Sequence, residues 1–144
     1  MKPASTKEGG NCLAAPDTCH IVAPPPPAGP GGIPTPFPNK GDLSGADKAT
    51  KKVLFGKKGV IVENSKLGRS SGDEAGCSNL PTPKGLMSQK NMGKVAFKSS
   101  SSKVKAQGKG IVRLTDSTAH NGSGNENAPM GKIIAPSQTT VLVG

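Results

Sequence analysis

The stretch Lys52-Val53-Leu54-Phe55-Gly56-Lys57-Lys58-Gly59-Val60-Ile61-Val62 decides the fold class. β-Branched and aromatic residues flank a glycine–lysine corner, which reads as strand, tight turn, strand. The glycines supply the positive φ that such a turn requires. The arrangement returns as Lys103-Val104-Lys105-Ala106, Gly108-Lys109-Gly110 and Ile111-Val112-Arg113-Leu114. A weaker echo runs from Met130 to Ser137, and the chain closes on the strand-like Thr139 to Val143. Repetition at this scale predicts hairpins that cannot bury a face alone and stack into a common core. The expected hairpin regions are about 51–65, 94–117 and 130–144. Val53, Phe55, Val60, Val62, Val104, Ile111, Val112, Ile133 and Val141 are the strand residues expected to build the core or a docking base.

Working outward, composition bounds the rest. The chain has 144 residues, with 20 Gly, 14 Pro and no Trp or Tyr. Leu, Ile, Val and Phe make up less than about a fifth, the level below which disorder becomes the default reading. A thick aromatic core and a deep enzymatic pocket are therefore not expected. The clustering of the apolar residues argues for a fold all the same. Residues 1–13 read as a mobile polar arm, and 14–144 as one domain. Ile21 to Asn39 is uncharged but rich in proline, so it cannot be a spanning helix. It reads as an extended polyproline-like segment that docks through Ile33 and Phe37. The expectation is a small all-β domain of short hairpins, loop-rich, with a thin core that requires a metal, a partner or oligomerisation.

The net charge is +10, and most basic residues lie between Lys48 and Lys109. A basic surface fits nucleic acid, anionic membrane or an acidic protein. Without interleaved aromatics for stacking, and without helix-turn-helix or zinc-finger spacing, no nucleic-acid partner is expected. A lysine-rich surface that protects sheet edges accounts for the charge. The N-terminus lacks the apolar core of a signal peptide, so synthesis in a reducing cytoplasm is expected, with thiols free or metal-bound. No nucleophile–base pair, GxSxG or phosphate-loop motif is present. The soft-ligand pool is Cys12, Cys19, His20, Cys77 and His120. Zinc takes four such groups in a tetrahedron, and here distant loops must bring them together. Cys19 and His20 are adjacent and rarely serve one ion. A small zinc- or thiol-dependent enzyme and a basic nucleic-acid-binding module stay open as alternatives.

Five motifs in order carry a resemblance: Pro16-Asp17-Thr18-Cys19, Pro36-Phe37-Pro38-Asn39, Ser70-Ser71-Gly72-Asp73-Glu74-Ala75-Gly76, Lys94-Val95-Ala96-Phe97 and Thr118-Ala119-His120-Asn121. Over roughly residues 14–124 the chain resembles the PAAR-like spike-tip proteins of bacterial contractile injection systems, such as type VI secretion and related phage-tail-like particles. The resemblance implies a short cone of β-hairpins with pseudo-threefold symmetry. It implies that this cone caps a trimeric β-helical spike of the valine–glycine repeat type, crosses a target membrane only transiently and accompanies effectors. It also implies a structural role without catalysis, with zinc pinning loops near the vertex. Cys19 and His120 fall on the family's motif positions. Cys77 is added by inference, Cys12 is the fourth candidate and His20 its competitor. The implied location is the bacterial cytoplasm during assembly, then the particle, then outside the cell or inside a target cell. Three hairpins in one chain can imitate a threefold axis and so match a homotrimer.

Overall fold

A computed structural model describes residues 1–21, 33–74, 85–88, 90, 92–122 and 124–144. The proline run of the Pro-rich segment and Cys77 lie outside the described residues. The fold is all-β. Its strands are β1 (Lys2–Pro3), β2 (Asn11–Ile21), β3 (Ile33–Asp42), β4 (Ala46–Asp47), β5 (Leu54–Phe55), β6 (Lys58–Gly59), β7 (Lys66–Leu67), β8 (Val95–Phe97), β9 (Lys105–Ala106), β10 (Lys109–Gly110), β11 (Ser117–His120), β12 (Ala128–Ala135) and β13 (Leu142–Val143).

Three short ladders form one end of the molecule: β5 with β6, β9 with β10, and β13 with β1. The first two are the hairpins expected from the sequence. Gly56 and Lys57 in one turn, and Gln107 and Gly108 in the other, all have positive φ. Two consecutive left-handed residues match the right-handed twist of the flanking strands. Each hairpin is only two pairs long. Past Gly59 and Gly110 the chain leaves its ladder and turns inward.

There the three copies meet. The Ile61 N–H donates to the Ser5 carbonyl, Ser5 to Val112, and Val112 back to Ile61, at 2.8–3.0 Å. A second set of three surrounds the first: Lys7 to Gly59, Glu63 to Gly110 and Leu114 to Pro3. Residues 3–7, 59–63 and 110–114 are thus equivalent arms of one ring with pseudo-threefold symmetry. Two expectations are corrected here. The N-terminal segment is no mobile arm, because Ala4, Ser5 and Thr6 are buried at the centre of the molecule. The third copy is this segment, completed by β13, and not the Met130 to Ser137 echo.

That echo lies on β12, in the wall above the ring. The wall runs β3-β2-β12-β11-β8-β7, and it closes because Lys40 of β3 pairs with Ser71, just beyond β7. It comprises three antiparallel hairpins, β2/β3, β7/β8 and β11/β12, each following one arm of the ring. Alternation along the arms divides the core. Ile61 and Val112 face the wall interior with Leu43, Leu67, Val95, Phe97 and Ile133. Ala4, Val60, Val62 and Ile111 face the ladders with Ala106 and Val143. Gly41 lets β3 approach this interior, since a Cβ there would lie 2.5 Å from Leu67 and 2.7 Å from Cys12. Val60, Val62, Ile111, Val112 and Ile133 are therefore interior and present no side chain to a partner. Val53 and Phe55 pack half-buried against the ladder core, Val141 is half-buried, and Val104 is exposed.

Candidate metal centre at the hairpin tips

Along β2 the inward positions are Cys12 and Ala14, then Asp17 and Cys19. The change of phase comes from a bulge between Ala14 and Asp17, where β2 takes one extra residue relative to β3. Strict alternation would have turned Asp17 and Cys19 outward. The bulge re-aims both toward the interior. Asp73 reaches the same point from the segment beyond β7, where the Met92 N–H donates to both its oxygens at 3.1 Å.

Ligand atoms of Asp17, Cys19 and Asp73 all lie within 4.8 Å of one another, and all three residues are buried. The Cys19 Sγ is 3.9 Å from Asp17 Oδ1 and 4.0 Å from Asp73 Oδ2. Two asparagines of the third hairpin complete the group. The Asn121 amide donates to both carboxylates, and the Asn127 amide to Asp17 and to the Thr18 carbonyl. Their amide oxygens accept from the backbone N–H groups of Gly93 and Met87, which fixes which way each amide points. Two residues of the first hairpin, one of the second and two of the third therefore interlock toward this end of the wall.

Burial pushes the Asp17 carboxyl up to about 6; neighbouring Asp73 adds to the rise and the Asn127 and Asn121 amides oppose it. Amide donors solvate carboxylates but carry no charge. Among the described residues no cationic side chain pairs with either acid. Two buried carboxylates and a thiol at this separation suit a divalent cation, which would supply the missing positive charge. Aspartate oxygen and cysteine sulfur are both zinc ligands.

Of the ligands expected from the sequence, Cys77 lies outside the described residues and the others take different places. Cys19 belongs to the acidic group. Cys12 does not: its thiol lies in the apolar core, 3.5 Å from the Gly41 carbonyl, and burial pushes it up to about 12. His120 is buried with both ring nitrogens engaged: Nδ1 donates to Asn39 Oδ1 at 2.5 Å, and Nε2 accepts from Thr118 Oγ1 at 2.9 Å. It ties β11 to β3, and burial pushes its imidazole down to about 4, against the opposing pull of Asp73. His20 is half-buried on the outward phase of β2.

Sequence reasoning missed Asp17, Asp73, Asn121 and Asn127 as site residues, because only cysteine and histidine were counted as ligands. The first three stand inside the quoted motifs. The toxin PAAR-like domain profile matches residues 10–129. This chain belongs to that family. A relative, the DNase toxin Tse7 of Pseudomonas aeruginosa, is 37% identical over 114 residues, which cover 78% of this chain and 28% of that protein. The PAAR-like chain thus spans little more than a quarter of that relative. No solved structure matches it.

Proposed function

We propose that this PAAR-like domain is a structural spike tip, whose ladder end sits on a trimeric β-helical spike and whose hairpin end leads into the target envelope. The ring of three mutual backbone hydrogen bonds carries this reading, because it lets one chain match a three-chain shaft. Position-equivalent residues on the outer strands of the ladders are Leu54, Lys105 and Leu142, of which Leu54 and Leu142 are about half exposed. They offer two apolar contacts and one lysine to a partner of near-threefold form. The setting proposed is a contractile injection system of the type VI kind. Assembly would take place in the bacterial cytoplasm, followed by delivery with the particle.

The family's description as a toxin domain, and the DNase toxin among the relatives, bring nucleic acid back into view. We assign any such activity to a part of those proteins outside the matched stretch. The role of this domain is to position and deliver. The test is co-purification with a trimeric β-helical spike protein. Retention is expected for the native chain, and loss for Leu54→Asp combined with Leu142→Asp at an unchanged melting temperature. Failure of the native chain to co-purify would end the reading.

The proposed metal is zinc, held by Asp17, Cys19 and Asp73. It would act as a cross-link between hairpins, so its binding free energy would be folding free energy. Chelation is expected to lower the melting temperature by several degrees, and Cys19→Ser to abolish stoichiometric zinc. Identical melting with and without chelator would remove the metal from the account.

A further inference from the structure

A trough of about 540 Å³ runs along the outside of the β7/β8 hairpin. Its lysines are Lys48, Lys66, Lys94, Lys98 and Lys109. A second hollow of about 340 Å³ shares Lys48 and Lys109 and adds Lys51 and Lys52. The two hollows adjoin at Lys48 and Lys109, and this basic channel is lined by seven lysines and two glutamates, Glu63 and Glu126. The acidic group at the tips does not use it, and the ring meets it only through Val62 and Glu63. Such a concentration of like charge is self-repelling in the free protein and becomes favourable once a complementary anion lies along it.

The lining chooses between anions. Among the described residues no arginine and no exposed aromatic lines the channel, so their lining offers neither the fork that grips phosphate nor the platform that stacks bases. Glu63 and Glu126 would repel an unbroken phosphate backbone. One carboxylate, by contrast, already lies on one of these lysines. Glu126 is held by Lys98 at 2.7 Å with its side chain 11% exposed, a contact of the kind an acidic side chain from outside would make. Phe97, Ala96, Gly122 and Gly124 give part of the channel an uncharged lining against which a peptide backbone can lie.

We propose that this channel docks an extended, carboxylate-rich segment of a partner protein. The inference concerns the flank of the domain and stands or falls apart from the spike-tip reading. The experiment follows fluorescence anisotropy of a labelled oligoglutamate peptide and, in parallel, of a labelled oligothymidine of equal charge, with the whole chain at low and at physiological salt. Lys66→Ala with Lys94→Ala is compared with Lys58→Ala with Lys132→Ala, an equal loss of charge outside the channel. The channel pair is expected to weaken peptide binding at least about tenfold and the control pair less than about threefold, both at unchanged melting temperature. Equal weakening by the two pairs, absence of peptide binding, or tighter binding of the oligothymidine would each overturn the proposal.

Discussion

At the ladder end three chain segments are joined by main-chain N–H and C=O groups and packed with aliphatic side chains. At the tip end three hairpins are joined by Asp17, Asp73, Asn121 and Asn127, side chain to side chain. The first junction tolerates many sequences, because any residue that fits supplies the same backbone groups. Ser5 occupies the position held by Ile61 and Val112 in the other arms. The second junction depends on particular atoms: an amide turned to an acid by a backbone N–H on its far side has no general substitute. Near-threefold form can thus be sustained by repetition at one end and by unlike partners at the other.

The largest expected effect bears on the ladder end. Ile61→Ala leaves a hole between the ring and the wall interior and should lower stability by about 3 kcal/mol, read from urea unfolding. A loss below about 1 kcal/mol would mean that the ring does not rest on this packing. Asn121→Ala comes next. It strips one donor from two buried acids and should cost about 2 kcal/mol in chelator-treated protein. If added zinc leaves that deficit unchanged, the two acids and the ion do not share a site.

The smallest effect sharpens the contrast, because His120 and Asp17, which help join the hairpins, titrate in the acid range with opposite shifts. His120 is held near 4 against an ordinary 6.5, so the unfolded chain binds more protons and stability rises with pH between those values. Asp17 is held near 6 against 3.8, so the folded chain binds more protons and stability falls with pH over that window. In chelator-treated protein the two slopes oppose each other from about pH 4 to 6, and the native urea midpoint should change little there. Asp17→Asn removes the falling slope and should reveal a clear rise. A flat profile in that variant would contradict the burial of a neutral His120.

The ladders were legible because Val53 to Val62 and Val104 to Leu114 place β-branched residues around glycine corners, the strongest local signal a strand pair gives. The third arm was not, because Ala4-Ser5-Thr6 carries no apolar signature. Its strand geometry comes from partners distant in the chain. At the tips Cys19 was legible from its motif. Asp17 was not, since its inward aim depends on a bulge that no alternation pattern announces. His120 was read as a ligand from its motif position. Which atoms an imidazole faces depends on Asn39 and Thr118, which only the closed wall brings beside it.

The ring has a kinetic consequence. Each of its arms gives and takes a bond with the other two, so no pair of arms completes it, and Ser5 must wait for Val112 to exist. Contacts of such long sequence separation pay loop-closure entropy before they return any stabilisation, a feature of slow-folding topologies. During synthesis the first arm would stay unsheltered until residues 110–114 have left the ribosome, and the ring would then close in a single event.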